Sequence, residues 1–73
     1  MTLSDVSKGT RVRIKKIDAG FALEQRLVGM GLIRGAEVEM HRNDFRGPAV
    51  LVVSRSRVML GRGMLKKITV DEI

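Results

Sequence analysis

The sequence feature that most narrows the possible folds is a period-two alternation of hydrophobic and charged residues in short segments. Val12 and Ile14 alternate with basic side chains, and Val38 and Met40 alternate with two glutamates and a histidine. This alternation is typical of a β-strand that has one buried and one exposed face. Ile17 breaks the parity of the first segment, which predicts a β-bulge just before it.

A third segment, residues 49–53, is hydrophobic on both parities. One set of its side chains can enter a core, and Val50 and Val52 would then point outward and need a cover of another kind. Residues 58–60 follow after a spacing that predicts a hairpin with about four loop residues. Met59 would share the outward face with the two valines.

The segment 21–28 differs from the others because Leu23 and Leu27 are four residues apart and most of its residues are good helix formers. It predicts a helix of about two turns that ends at Gly29 or Gly31, with Gly31 in a left-handed conformation. A last strand is expected at residues 67–71, after a glycine-containing turn at residues 61–65. Five short strands with one helix inserted after the first describe a small, partly closed barrel.

The chain has 73 residues and no cysteine, which excludes disulfide frameworks, cysteine-ligated zinc and iron–sulfur clusters. A domain of this size buries only about 60% of the surface of its unfolded chain, so it has little room for an enclosed catalytic cleft. We therefore expect one domain over residues 1–73. Its first residues have neither a basic leader nor an apolar signal core, so a cytoplasmic protein without membrane insertion is expected.

Positive charge is concentrated in one half of the sequence. Residues 40–67 hold seven basic residues and one acidic residue, whereas the rest of the chain holds seven of each. The C-terminal half thus accounts for the net charge of +6. Such a field could attract an acidic protein, a nucleic acid or an anionic surface, or it could be a solvated face without a partner.

Candidate catalytic groups are scarce. His41 is the single histidine, and Ser54 and Ser56 have no base at a recognisable spacing, so no enzymatic activity and no cofactor are expected. Glu39 and His41 share one strand face and could bind zinc or iron(II) together with Asp44. The alternative, which we favour, is a solvated strand because nothing supplies a fourth ligand.

A basic barrel that binds nucleic acid is the main alternative to a protein-binding module. Single-strand binders stack bases on aromatic side chains, and this chain offers only Phe21 and Phe45. We expect Phe21 to pack the start of the helix into the core, and Phe45 to anchor a loop or contact a partner. Met30 and Met40 are expected to fill the core. Nucleic acid is therefore not expected as a partner.

The order of residues resembles that of the ferrous iron transport protein A (FeoA) family. The most specific match is residues 26–35, in which arginine-leucine is followed by methionine-glycine-leucine and then by a further glycine. Other matches are the spaced opening Leu3, Val6, Gly9, Val12, Ile14 and Ile17, and the proline that precedes the valine-rich strand. The family often has a glycine in the hairpin where this chain reads Ser-Arg-Ser-Arg at residues 54–57.

This resemblance implies an SH3-like barrel and a role as an accessory protein of bacterial ferrous iron uptake. The implied partner is FeoB, a membrane permease with a cytoplasmic GTP-binding domain. Activation of GTP hydrolysis would need an arginine supplied by this chain, for which Arg55 and Arg57 are the candidates. The expected partner-binding residues are Val50, Val52, Arg55, Arg57, Met59 and Arg62, and self-association through the valines is left open. The barrel also resembles the C-terminal domain of metal-dependent repressors of the diphtheria toxin repressor type, so a metal-binding regulatory module is a further alternative.

Overall fold

The segments with period-two alternation form the strands of the protein. The structure is a computed structural model that describes residues 1–44 and 46–73, and the expectation for Phe45 lies outside the described residues. In chain order the elements are a 3-10 turn Leu3–Asp5, β1 Arg11–Ile17, α1 Phe21–Gly29, β2 Glu37–Arg42, β3 Ala49–Val53, β4 Ser56–Leu60, α2 Arg62–Leu65 and β5 Ile68–Glu72.

The strands form one antiparallel sheet in the order β4-β3-β2-β1-β5. This confirms the predicted mainly-β fold of five strands, with a short helix after the first strand. The register between β1 and β5 shifts between Ile14 and Lys16, which confirms the predicted bulge. A second shift lies between Met40 and Arg42 in the pairing of β2 with β3. Bulges of this kind bend a sheet, and they help this one to curl around its own core.

One face of every strand supplies the core. The buried strand residues are Val12, Ile14, Val38, Met40, Ala49, Leu51, Val53, Leu60, Ile68 and Val70. Side chains from the connecting segments complete this core, namely Leu3, Val6, Leu27, Leu32 and Leu65. No described polar or charged residue is buried. The fold is therefore stabilised by aliphatic packing, and the charged groups remain on the outer surface.

The end of α1 has the geometry that residues 26–35 predict. Gly31 has a φ of +85°, and its N–H donates to the carbonyl of Val28 at 2.9 Å. The N–H of Leu32 donates to the carbonyl of Leu27, also at 2.9 Å. These two bonds are a Schellman motif, in which hydrophobic residues on both sides of the glycine meet. Leu27 and Leu32 are both buried, so the motif fixes them in the core.

The hairpin between β3 and β4 is tighter than predicted. Val53 pairs with Ser56, so the loop consists of Ser54 and Arg55 alone. These residues have φ values of 48° and 69°, as in a type I′ turn. The expected loop of four residues was wrong because the turn lacks the asparagine and glycine that usually mark this geometry. As a result, Ser56 and Arg57 belong to β4.

Two side chains that were expected in the core lie on the surface. Phe21 is 79% exposed and Met30 is 38% exposed. The core side of α1 is defined by Leu23 and Leu27. At about 100° per residue, Phe21 lies about 200° from Leu23 and about 240° from Leu27 around the helix axis, so it projects away from the core. The prediction for Met40 is confirmed, since this side chain is fully buried.

The predicted turn at residues 61–65 contains a short helix. Gly61 precedes α2 as its N-cap residue, and the N–H groups of Met64 and Leu65 donate to its carbonyl at 3.1 Å and 3.2 Å. Leu65 is fully buried beneath this helical turn. One helical turn carries Leu65 into the core, which glycine content alone does not indicate.

The two edges of the sheet differ. On the β5 side, Thr2 forms a bridge with Thr69, and the N–H of Val70 donates to the carbonyl of Met1 at 2.9 Å. On the β4 side, no described segment pairs with the outer edge.

Within the described part of the chain, no helix has the length and hydrophobicity needed to cross a membrane.

Candidate partner-binding surface

The outer face of the sheet carries a row of side chains that crosses four strands. Arg11 of β1 is opposite Glu39 of β2, Glu39 is opposite Val52 of β3, and Val52 is opposite Arg57 of β4. Arg11 and Glu39 form an ion pair at 3.6 Å. The carboxylate is therefore neutralised from the β1 side, and Val52 separates it from Arg57. Arg57 thus remains an exposed cation without an ion pair among the described residues.

A second, more hydrophobic row lies beside the first. Arg42 is opposite Val50, and Val50 is opposite Met59. Val50 and Val52 are half-buried, whereas Met59 is 66% exposed. The structure therefore brings Val50, Val52 and Met59 together on the outward parity, as the pattern predicts. We call Val50, Val52, Arg57 and Met59 the β3–β4 face.

The tip of the hairpin extends this face. Arg55 is exposed in the turn, and together with Ser54 it borders an open hollow of about 250 Å³. Glu37, Glu39 and Val52 line the same hollow. Glu37 is held by Arg13, whose Nη2 donates to Oε2 at 3.1 Å. Cationic and apolar groups thus meet at the tip, beside glutamates that already have arginine partners.

Arg62 occupies a different environment from the other expected site residues. It is half-buried, and its Nη1 donates to Oδ1 of Asn43 at 2.6 Å. The Nδ2 group of Asn43 in turn donates to the carbonyls of Ser4 and Val6 at 3.3 Å and 2.8 Å. These bonds tie the end of β2, the 3-10 turn and the start of α2 together. Arg62 therefore has a structural contact at the margin of the β3–β4 face. No sequence motif indicates the role of Asn43.

Two of the candidate metal ligands, Glu39 and Asp44, already contact arginine residues. Glu39 is paired with Arg11, and Asp44 accepts hydrogen bonds from the N–H of Arg46 at 3.3 Å and from Nη2 of Arg42 at 3.2 Å. The Arg46 N–H, with a further contribution from the Arg42 guanidinium, holds the pKa of the Asp44 carboxyl below its ordinary value. Over residues 1–44 and 46–73 no three groups of metal-binding type come together.

A second exposed hydrophobic surface was not predicted. Phe21, Val28, Met30 and Ile33 are all exposed on or just after α1. Val28 and Ile33 border a small hollow of about 80 Å³ with Ile17, Glu24 and Arg34. The seven-residue spacing of Phe21 and Val28 is the sequence signal for this surface, because it puts both side chains on one helix face, away from Leu23 and Leu27.

Comparison with known proteins identifies close similarities over nearly the full chain. The model of the FeoA domain family matches residues 1–72. An Fe(2+) transport protein A of Methanocaldococcus jannaschii is 39% identical over 70 residues, which is 96% of this chain and 84% of that protein.

Solved structures agree with this result. The solution structure of iron(II) transport protein A from Clostridium thermocellum has a TM-score of 0.92 and 28% identity over 100% of this chain, which spans 46% of that chain. The zinc complex of FeoA from Stenotrophomonas maltophilia, described as a prokaryotic SH3 domain protein, has a TM-score of 0.83 and 28% identity, and covers 97% of this chain and 89% of that one. The SH3-like fold is thereby confirmed.

The predicted likeness to metal-dependent regulators holds at the level of fold. The metal-dependent transcriptional regulator MtsR has a TM-score of 0.87 and 19% identity over 100% of this chain, which spans 36% of that protein.

Proposed function

Because the chain belongs to the FeoA domain family, which is associated with ferrous iron transport, we propose that it is a non-catalytic accessory protein that binds the permease FeoB in the cytoplasm. The observation behind this proposal is the β3–β4 face. Hydrophobic side chains bordered by charged ones are the usual composition of a protein-binding surface. The proposed contact residues are Val50, Val52, Arg55, Arg57, Met59 and, at the margin, Arg62.

The test of this surface uses two matched charge substitutions. The double variant Val50→Glu, Met59→Glu puts carboxylates on the β3–β4 face, and Val28→Glu, Ile33→Glu does the same on the surface of α1. Binding of each variant to the cytoplasmic GTP-binding domain of FeoB is measured by isothermal titration calorimetry. The first variant should lose binding because two carboxylates would be buried at the interface. Equal affinities of the first variant and the wild type would contradict the proposal.

We further propose that Arg55 or Arg57 contributes to activation of GTP hydrolysis. Both side chains are exposed at or beside the hairpin tip, and neither forms a hydrogen bond or ion pair with another described side chain. An arginine supplied in trans can stabilise the negative charge that develops on the transferred phosphoryl group. At a concentration that saturates the FeoB domain, the variant Arg55→Ala, Arg57→Ala should stimulate GTP hydrolysis less than the wild type does. Unchanged stimulation would exclude this role and leave the binding proposal to the calorimetry.

A nucleic-acid interface is less well supported by the geometry. Single-strand binders stack bases on aromatic side chains, and Phe21, the aromatic residue that the structure describes, lies on α1 and not on a strand of the β3–β4 face.

A further inference from the structure

The outer edge of β4 has backbone groups that no described residue pairs with, and these groups follow a defined pattern. The N–H of Met40 donates to the carbonyl of Thr10 at 3.0 Å, and its carbonyl accepts from Gly9 at 2.7 Å. The backbone of Met40 is therefore directed away from β3. In an antiparallel sheet, the residue opposite such a position also directs its backbone to its other neighbour. Leu51 is opposite Met40, so its backbone groups face β4 and pair with Val58.

This alternation determines the side to which each residue of β4 directs its backbone N–H and C=O groups. Ser56, Val58 and Leu60 bond to β3, and the intervening Arg57 and Met59 present their N–H and C=O groups to the outer edge. No described segment forms a backbone hydrogen bond with these two residues. The pairing of β3 with β4 runs without interruption from Ala49–Leu60 to Val53–Ser56, so the edge has no bulge that would hinder another strand.

The opposite edge of the sheet is protected. The N-terminal residues bridge to Thr69 and bond to Val70 of β5. Edge strands without such a cover are templates for an added strand, and proteins that bind extended peptides use them in this way. The difference between the two edges indicates that β4 is the one available for pairing.

We propose that β4 binds an extended acidic segment of a partner protein as a sixth strand of the sheet. This inference concerns the mode of binding and rests on the proposed protein-binding function. The side chains of Arg57 and Met59 lie two residues apart on the outer face, so the added strand would present a carboxylate beside Arg57 and, two residues away, a hydrophobic side chain beside Met59. Its backbone would bond to the N–H and C=O groups of these residues.

Charge selects this occupant over a second copy of the chain. The edge strand and its flanks contain Arg55, Arg57 and Arg62 and no acidic residue. Pairing of two β4 strands would bring Arg55 and Arg57 of both chains to one edge, whereas an acidic strand would neutralise Arg57, which has no ion pair among the described side chains.

The experiment uses the full chain and two synthetic heptapeptides, Thr-Ser-Thr-Glu-Thr-Val-Thr and the same peptide with lysine in place of glutamate. Amide hydrogen exchange is followed by NMR. In the free protein the amides of Arg57 and Met59 should exchange fast, and those of Val58 and Leu60 slowly. The acidic peptide should slow exchange at Arg57 and Met59, and the lysine peptide should have no effect.

A variant with a matched control isolates the backbone bond. Met59→Pro removes the outward N–H without a loss of bonds to β3, and Met59→Ala keeps it. Met59→Pro should weaken peptide binding about tenfold relative to Met59→Ala, which is the loss expected for one hydrogen bond. Because the proline variant could unfold, strand addition is also tested with the wild type alone. Slower exchange of the Arg57 and Met59 amides with the acidic peptide supports it, and unchanged exchange overturns it.

The outcomes separate the two proposals. Protection of Arg57 and Met59 by the acidic peptide and by the FeoB domain supports strand addition to β4. Binding of the FeoB domain without protection of these amides overturns strand addition and leaves the proposed function standing. Absence of FeoB binding with protection by the peptide overturns the proposed function alone. Protection of both amides in a dimer of the free protein would assign the edge to a second copy and overturn the proposal.

Discussion

Ser54 and Arg55 are the two non-glycine residues with a positive φ in the described chain. A left-handed conformation costs an L-residue about 1–2 kcal/mol, and two adjacent residues bear it here. Burial of the inward-facing side chains of β3 and β4 outweighs this cost, because Val53 and Leu60 must both reach the core from adjacent strands. The length of the hairpin was therefore not evident from the turn residues, although the faces of its strands were.

The replacement Arg55→Gly should stabilise the protein. Glycine adopts a positive φ without steric cost, so the free energy of unfolding should rise by about 1 kcal/mol, equivalent to about 4–8 °C in Tm for a domain of this size. The control is Arg57→Gly, which places glycine in an extended strand and should lower stability. Thermal unfolding followed by circular dichroism measures both. A lower Tm for Arg55→Gly would contradict the type I′ assignment.

Asp44 makes stability depend on pH in the acid range. Its pKa in the folded state is lowered, chiefly by the N–H of Arg46, from an ordinary value of 3.8. A lowered pKa contributes stability above the ordinary value, and this contribution is lost as the pH falls through the folded value. The stability difference between the wild type and Asp44→Ala should therefore be constant near neutral pH and shrink below about pH 4. Urea unfolding at several pH values would detect this, and a difference that grows on acidification would refute it.

The connection from α1 to β2 shows what sequence and structure each contribute at the scale of elements. The glycine and the flanking leucines of residues 26–35 were sufficient to predict where the helix ends and that Gly31 is left-handed. The exposure of Phe21 and Met30 was not predicted because residue type favours burial, whereas the geometry of a nine-residue helix allows only one face to reach the core. For short elements the angular position of a residue decides its burial more than its hydrophobicity does.

Gly31→Ala should destabilise the protein more than Gly35→Ala. Both glycines have a positive φ, of 85° and 89°. A Cβ atom on Gly31 would lie 3.3 Å from Cγ1 of Val53, whereas one on Gly35 would have no atom within 4 Å. We expect a loss of about 1–2 kcal/mol for Gly31→Ala from backbone strain and crowding. Chemical denaturation measures both variants, and equal losses would show that the Val53 contact adds nothing.

Asn43 joins three elements through its amide group, so removal of this group should destabilise the whole fold and not only the loop. Asn43→Ala should lower the free energy of unfolding by about 1–3 kcal/mol because the carbonyls of Ser4 and Val6 lose their donor. Arg62→Met keeps that donor and should cost less. Urea unfolding of the two variants compares them, and a larger loss for Arg62→Met would place the main contribution on the arginine instead.

At the scale of the whole molecule, the alternation of each strand determines which side chains face outward, but only the register determines which of them are neighbours. Val50, Val52 and Met59 were predicted to share a face, and they do. The row that ends at Arg57 depends on the two-residue turn and on the bulge in β2, neither of which has a marker in the sequence. The hydrophobic part of the candidate surface was therefore predictable, and its charge arrangement was not.

Positive charge is concentrated in residues 40–67. The rate of association with FeoB should therefore depend on the position of each charge as well as on the net charge of the protein. The molecule measures 28 × 24 × 23 Å, whereas the Debye length at physiological ionic strength is about 8 Å. Charges on different faces are thus screened from one another, and only those near the docking surface steer the encounter.

Arg57→Glu on β4 and Lys16→Glu on β1 change the net charge equally, but Arg57→Glu should slow association about tenfold at low salt and Lys16→Glu only slightly. Stopped-flow measurements with the GTP-binding domain of FeoB should show this difference vanish near 1 M salt, where the Debye length is about 3 Å. Equal slowing by the two substitutions would mean that total charge governs the encounter and that the β3–β4 face does not receive the partner.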